Sequence, residues 1–358
     1  MDQKKILLIA GSQYGYNTSS YNYTKYLKEF YEVTYLGYDL AQPKIDTPGV
    51  NVIYISSGGS LFVRTFRFLR AILREINQNY DLIIFKYFKW NFIMRFMCRH
   101  THAILDIRTG SVSSDRFRRN RDNALIRFNA FFFKNVSVIS VALAELLRIP
   151  LTKRIIIPVG ADVISDTDKS FEKLNLVYVG TLANRRIEDT ITGFEKFYHE
   201  FAGKIEMHYT IVGDGPGGEK EMLKKMVTEK GLTHVINICG FIHHTKLHDL
   251  FDKSNAGVVY VPCTTYFDCQ PSTKLFEYLL SGIPVIATQT TENKNVINDL
   301  NGVLIQDTPV AFYNGLKQLW RQKSQFHSPA LRESVKSYTW ENIIVNHLKP
   351  NLENVMNQ

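Results

Sequence analysis

The 358-residue chain is poor in cysteine: it has four, Cys98, Cys239, Cys263 and Cys269, and no two form a CxxC pair. Four thiols without a pairing pattern exclude a disulfide framework and suggest a reducing compartment. Cys263 and Cys269 alone are too few for a zinc site, so no metal is expected. No run of about 18 apolar residues stands uninterrupted, so no clear transmembrane helix is expected. The opening MDQKKILLIAGSQYGYN puts two lysines before the apolar ILLIAG. That is too short for a signal peptide and suits a first strand. The turn GSQYGYN is not a GxGxxG and supports no dinucleotide site by itself. No nucleic-acid motif is recognised, so no nucleic-acid partner is expected.

What the chain does have is 45% apolar residues, enough for sizeable cores, and a length that points to two domains. Its charge is uneven. Between Leu61 and Asn135 stand 15 Lys or Arg against five Asp or Glu, so this region carries the whole excess of the chain's net +9. Within it, LFVRTFRFLRAILREI places Arg64, Arg67, Arg70 and Arg74 on one helical face and Phe62, Phe66, Leu69 and Leu73 on the other. KYFKWNFIMRFMCRH follows, basic and aromatic together. Such segments suit an anionic membrane surface. Alternatively, the apolar side packs on a sheet and the arginines are solvated.

Strand-like runs alternate with helical patterns along the chain. KILLIAG, EVTYLGY, NVIYIS, DLIIFKYF, HAILDIR, VSVIS and RIIIPVG read as strands, with a helix around Asp122–Phe133 among them. The polar VISDTDKSFEK, residues 163–173, reads as a linker. LNLVYVG, HYTIVGDG, VINICG, AGVVYVP and PVIAT then restart the alternation, with helices over 189–201 and 218–229. This pattern predicts an α/β protein with two Rossmann-like domains of parallel sheet, 1–162 and 174–337, facing a central cleft. Ligands are expected at the carboxyl ends of the strands. Residues 338–358 read as a C-terminal helix crossing back to the first domain.

The stretch QPSTKLFEYLLSGIPVIA, residues 270–287, condenses one site into a few turns. Ser272 is suited to cap a helix running from Thr273 to Leu280, and Gly282 to end it. Leu275, Phe276, Leu279 and Leu280 form its inward side. The amides of Thr273, Lys274 and Leu275 point out of the helix N-terminus, where an anion is favoured. Glu277 shares a face with Thr273 and Lys274 and can accept bonds from hydroxyls next to a phosphate. A diphosphate with an attached ribose fits this pattern.

The order of motifs in the second half resembles the nucleotide-sugar domain of family-4 retaining glycosyltransferases, which have the GT-B architecture. VYVGTLANRRIEDTITGF is similar to that family's glycine-plus-basic loop, and TIVGDGP to its GxGP turn. INICGFI resembles its base-binding stretch, and QPSTKLFEYLLSGIPVIA its diphosphate-and-ribose segment. IPVGAD resembles its interdomain turn and SYTWENI the start of its C-terminal helix. The match spans about residues 156–350, with the first 155 alike only in pattern.

The resemblance implies roles. Arg186, six positions after Gly180 and beside Arg185, contacts the diphosphate. Gly240 and Phe241 line the base pocket, while Gly213 and Gly215 shape a tight turn. Gln270 lies in the same donor segment. Ser272, Thr273, Lys274 and Leu275 wrap the phosphates, and Glu277 holds the ribose. Gly11 and Ser12 face the donor from the first domain, or form a plain turn. Two departures stand out. Where relatives carry the first glutamate of E-x7-E, this chain has Cys269, with Asp268 beside it as a possible substitute. Where many have a first-domain histidine, ILDIRTG offers Asp106 and Arg108. Arg108 either binds acceptor or donor, or pairs with Asp106. His243, His244 and His248 read as residues at a helix start.

The implied activity is retaining, hexosyltransferase-like transfer of a sugar from a nucleoside-diphosphate sugar, UDP- or GDP-linked, with Arg186, Lys274 and the helix amides stabilising the departing diphosphate. No cofactor or metal is needed if those positive groups serve, and no Asp-x-Asp stretch stands in a suitable loop. The basic first domain suggests a glycan or lipid-linked acceptor in surface polysaccharide synthesis. It would be met by a cytoplasmic protein peripheral at the inner face of the membrane. A nucleotide-sugar epimerase of the same architecture, or a non-catalytic nucleotide-sugar-binding subunit, remains as the alternative.

Overall fold

KILLI and LIIFK are nearly continuous apolar runs, and such runs are stable only as strands covered on both faces. In the computed structural model, which describes residues 3–98, 101–243 and 246–358, they lie in the middle of a seven-stranded sheet. Its strands are β1 (Lys5–Ile9), β2 (Glu32–Asp39), β3 (Val50–Ser56), β4 (Leu82–Lys86), β5 (His102–Ile107), β6 (Asn135–Val138) and β7 (Arg154–Ile156). The spatial order is β3-β2-β1-β4-β5-β6-β7, parallel throughout. The order reverses direction at β1 and β4, as in doubly wound sheets.

This sheet belongs to a unit of Met1–Pro158 with Trp340–Gln358. Trp340, Ile343, Leu348 and Leu352 join Tyr23, Leu27, Ile6 and Leu8 in one buried cluster. A helix predicted to begin near Asp122 instead runs Arg116–Phe131, because the Asp115 carboxylate accepts the Arg118 amide at 2.6 Å and starts it earlier.

The second unit, Val159–Thr339, holds six parallel strands: β8 (Leu174–Val179), β9 (Met207–Val212), β10 (Ile236–Cys239), β11 (Ala256–Val259), β12 (Val285–Thr288) and β13 (Gly302–Ile305). Their order is β10-β9-β8-β11-β12-β13. The last strand and the helix Pro309–Arg321 behind it escaped the alternation read from the sequence. Residues 163–173, expected as a linker, are packed parts of this unit. Ile164 and Ser165 donate their amides to Ser281 Oγ at 3.2 Å, and Ser165 Oγ donates to Asp252 at 2.6 Å. The polar composition suggests a linker, but these polar groups are bonded inward. No helix among the described residues is long and apolar enough to cross a membrane.

A buried charge cluster ties three strand ends of the first unit together. Lys86, the last residue of β4, donates to Asp106 of β5, whose other oxygen accepts Ser137 Oγ of β6 at 2.6 Å. Burial pushes Lys86 down to about 8, and only the Asp106 charge offsets it. Burial would raise Asp106, but Lys86 and Arg108 outweigh it and hold the carboxyl below its usual value. Removing the carboxylate leaves the ammonium without a counter-charge. Asp106→Asn is therefore expected to lower unfolding stability by about 3–5 kcal/mol in urea denaturation.

Candidate functional site

The carboxyl ends of β8 and β9 in the second unit run directly into glycines. Gly180 and Gly213 have φ of +150° and +148°, a region only glycine occupies without strain. The two loops touch through their backbones: a Cβ on Gly213 would stand 1.8 Å from the Gly180 carbonyl oxygen. The Gly180 amide donates to Val212 O at 3.0 Å and the Leu182 amide to Asp214 O at 3.1 Å, so the loops are stitched on both sides of that contact. Gly215 follows, its amide held by the Asp214 side chain at 2.8 Å.

Against this pair lies the helix Thr273–Leu280. Its inward side is the predicted one: Leu275, Phe276, Leu279 and Leu280 are all buried. Tyr278, also buried, accepts the Val179 amide at the end of β8 at 2.8 Å. Its ring lies over Gly257 of β11, where any Cβ would come within 2.5 Å. The helix ends as expected at Gly282, with φ +72° and amide bonds from Gly282 to Leu279 and from Ile283 to Tyr278. Its start differs from expectation. Ser272 stands at the N-cap in extended conformation, but its side chain makes no capping bond; the Leu275 amide takes the Ser272 carbonyl at 3.1 Å instead. The first-turn amides of Thr273 and Lys274 are thereby left for another acceptor.

Lys274 is the central cation. Its Nζ lies 3.8 Å above the centre of the buried Tyr178 ring, and 2.9 Å from where a Cβ on Gly180 would be. Burial pushes it down to about 7; the Arg185 charge adds to that shift and Glu277 opposes it. Arg185 itself is lowered by burial and lies 4.3 Å over the Phe267 ring. Among the described residues, neither Lys274 nor Arg185 has a salt-bridge partner within 4.0 Å. Glu277 is half-buried one turn along the same helix face.

Other expected residues are placed differently. Arg186 occupies the N-cap of helix Ile187–Phe201 at φ +54°, and its guanidinium turns to Asp189 at 2.7 Å and Asp307 at 3.4 Å. Two carboxylates hold it, so the structure groups Arg185, not Arg186, with Lys274. Asp268, the possible substitute glutamate, accepts both the amide and the hydroxyl of Thr291, at 2.8 and 2.6 Å. Cys269 is buried, and burial pushes its thiol up to about 11, so it supplies no anion. Gln270 donates back to Tyr266 O. Gly240 follows β10, and Phe241 exposes 78% of its surface beside it. His248 pairs with Asp252 at 3.0 Å, and His244 lies outside the described residues.

In the first unit, Gly11 is exposed with open space around it, while Ser12 is anchored: Tyr35 Oη donates to its carbonyl at 3.0 Å. Arg108 does not bond Asp106. It donates to Ile157 O at 2.8 Å, Pro158 O at 3.1 Å and Tyr23 Oη at 3.1 Å, clamping the end of its own unit's chain. Arg64 lies 5.4 Å over the Tyr38 ring and Arg67 donates to Gly58 O at 2.9 Å. Arg70 and Arg74 are exposed. Phe62 and Phe66, which the alternative reading packs on the sheet, are exposed too, because Phe68 and Ile72 form the buried side of that helix. The signal that sequence reading missed is Tyr178: an aromatic two residues before Gly180, placed under the lysine.

Residues 173–322, the core of the second unit, match the family model described as glycosyl transferases group 1. No curated protein sequence matches the chain. Solved structures do. Sucrose-phosphate synthase from Thermosynechococcus elongatus is 16% identical with a TM-score of 0.80, over 99% of this chain and all of the other. HepE from Anabaena, solved in complex with UDP, is 14% identical with a TM-score of 0.74, over 98% of this chain and all of the other. A glycosyltransferase from Rickettsia africae is 12% identical with a TM-score of 0.75, over all of both chains. The two-sheet architecture is that of the GT-B glycosyltransferases.

The glycine contact has a direct test. Gly213→Ala is expected to cost about 1–3 kcal/mol in thermal unfolding, since the methyl must displace the Gly180 carbonyl. Gly11→Ala, with nothing within 4 Å, should stay within about 0.5 kcal/mol of the parent.

Proposed function

We propose that this protein is a retaining glycosyltransferase that moves a sugar from a nucleoside-diphosphate sugar to an acceptor. The observation that carries the reading is the pair Lys274 and Arg185. Two partly buried cations with no salt bridge among the described residues stand beside glycine loops and a helix N-terminus with open first-turn amides. Partly buried charge held in no salt bridge is costly, so such a place suits an anion that arrives. The group 1 match over the same residues supports a nucleotide-sugar donor, and the UDP bound to HepE supports UDP over GDP.

In this reading Lys274, Arg185 and the Thr273 and Lys274 amides bind the diphosphate. Glu277 accepts the ribose hydroxyls, and Phe241 with Gly240 meets the base. Gly180 and Gly213 let the phosphates approach the backbone, with Ser272 and Leu275 at the same helix start. As the sugar–phosphate bond breaks, negative charge grows on the departing diphosphate and the cations stabilise it most there. The acceptor hydroxyl attacks from the leaving-group face, and its proton passes to the departing phosphate oxygen. These positive groups do the work that a metal could otherwise do. Arg186 acts through helix placement. The acceptor is a lipid-linked glycan in surface polysaccharide synthesis, met at the cytoplasmic face of an anionic membrane.

A nucleotide-sugar-binding subunit without turnover is the second reading. It is favoured by Asp268, whose carboxylate already holds Thr291, and by Cys269, which has no carboxylate for the transferred sugar. Release of UDP from UDP-sugars by the purified protein separates the two.

Thermal shifts with UDP, GDP, ADP and CDP test the donor site, because a ligand of the folded state raises the melting temperature. UDP is expected to give the largest shift, and Lys274→Ala, Arg185→Ala and Glu277→Ala each to reduce it strongly. Arg186→Ala should reduce it less than Arg185→Ala; the reverse order would return the phosphate contact to Arg186.

The pH dependence follows from the depressed lysine. The protonated form binds the diphosphate, so UDP affinity should fall as pH rises, by about tenfold per unit above about 7. Calorimetric titration should show that fall in the parent and a flat limb in Lys274→Arg. A flat limb in the parent would remove Lys274 from the phosphate site.

A further inference from the structure

Helix Arg116–Phe131 in the first unit is built inside out. Its buried residues are Asn123, Ile126, Asn129 and Ala130. Both asparagines are employed there: Asn123 Oδ1 accepts the Ser111 amide at 2.9 Å, and Asn129 accepts the Phe92 amide at 3.0 Å while donating to Leu125 O at 2.8 Å. The opposite stripe is Phe117, Arg121, Ala124, Phe128 and Phe131, all exposed. Phe117 and Phe131 show 79% and 73% of their surfaces. A helix serving only its own core turns phenylalanine inward and asparagine outward.

The stripe does not stand alone. Phe128 meets Phe92 and Phe132 at ring-centre distances of 5.2 and 5.1 Å, Phe96 meets Phe132 at 5.3 Å, and Trp90 adjoins Phe92 at 6.3 Å. The short helix Asn91–Met97 thereby extends the aromatic surface, and it also touches helix Leu61–Ile76. There Phe62 and Phe66 expose 87% and 65%. The connections β3 to β4, β4 to β5 and β5 to β6 all step the same way across the sheet, so right-handed crossovers put the three helices on one face.

Cations surround these rings: Arg70, Arg74, Lys89, Arg116 and Lys134 are exposed and, among the described residues, none has a salt bridge. The acidic groups of the same helices are already engaged. Asp115 accepts the Arg118 amide, Asp122 pairs with Arg118 and Arg121, and Glu75 accepts from Tyr80. A second copy of the chain would bring this positive face against its equal, and like charges oppose that. An anionic bilayer supplies both complements at once, phosphates for the arginines and an interface for aromatic rings.

We propose that this three-helix layer is the surface on which the protein lies against an anionic membrane, with Phe62, Phe66, Trp90, Phe128 and Phe131 entering the headgroup region. The proposal rests on the membrane-partner reading above and names the contact, which is aromatic as much as basic.

Co-sedimentation with sucrose-loaded vesicles tests it, using phosphatidylcholine alone and phosphatidylcholine with an equal part of phosphatidylglycerol. The parent protein should pellet with the mixed vesicles, stay in solution with phosphatidylcholine, and be released by salt. Phe128→Ser/Phe131→Ser and Phe62→Ser/Phe66→Ser should each weaken partitioning by about tenfold or more. Both pairs are exposed, and an unchanged melting temperature checks their folding. In the parent, brominated lipid should quench fluorescence that Trp90→Phe lacks. If the parent fails to pellet, this proposal and the membrane partner both fall. If the parent pellets but both paired variants pellet equally and Trp90 is not quenched, the membrane partner stands and this surface is wrong. A parent dimer that the phenylalanine variants dissolve would assign the layer to a second copy. UDP shifts should not change in any of these variants.

Discussion

Gly180 and Gly213 approach so closely that any side-chain atom on Gly213 would fall on the Gly180 carbonyl, and the rest of the candidate site is arranged around that approach. It brings the ends of β8 and β9 together and leaves the space above Gly180 to the Lys274 ammonium. Tyr278 then fixes the helix that carries Lys274, because its hydroxyl takes the last amide of β8. That docking in turn requires Gly257, where a methyl would meet the Tyr278 ring. Three glycines on or just past adjacent strands thus position one lysine, although none of them carries a chemical group. Their role is to let backbone and ring come close.

The parallel sheets were legible because their strands are continuous apolar runs and the turns between them carry strong breakers. The helix Thr273–Leu280 was legible from its apolar spacing and its closing glycine. What sequence could not supply was the partner of each polar group. Arg185 and Arg186 are adjacent, yet their guanidinium groups go to different neighbours, the Phe267 ring for one and Asp189 with Asp307 for the other. Asp268 looked available for a sugar until Thr291, 23 residues later, proved to hold it. Residues 163–173 looked loose because they are polar, yet their polar groups bond to Ser281 and Asp252 more than 80 positions away. Such pairings are long-range, and local pattern carries no record of them.

Helical spacing separated arginines from phenylalanines correctly in Leu61–Ile76, but it could not say which flank faces the sheet. Phe68 and Ile72 take that role, so Phe62 and Phe66 share the outer side with the arginines. In Arg116–Phe131 the asparagines are drawn inward by backbone groups of neighbouring segments, Ser111 and Phe92, that need acceptors. A buried amide without a partner costs more than an exposed phenylalanine, and the helix rotates accordingly.

The two units handle a lysine over a tyrosine ring in opposite ways, and the proposed donor site rests on that contrast. Both Lys86 and Lys274 lie over tyrosine rings, Tyr23 and Tyr178, at 4.1 and 3.8 Å. Both are pushed down by burial. Lys86 is given a carboxylate, and that carboxylate is given a serine, so the cluster is satisfied and holds strand ends together. Lys274 is given an arginine neighbour, whose unfavourable charge outweighs the opposing charge of Glu277. A protein that needed only stability would not put two cations there without a salt bridge. The arrangement becomes favourable when a polyanion arrives, since each phosphate charge then relieves both the burial and the mutual repulsion. In the proposed reading the same electrostatic deficit grows more valuable as a leaving group gains charge, so the feature that costs stability is the one able to drive transfer.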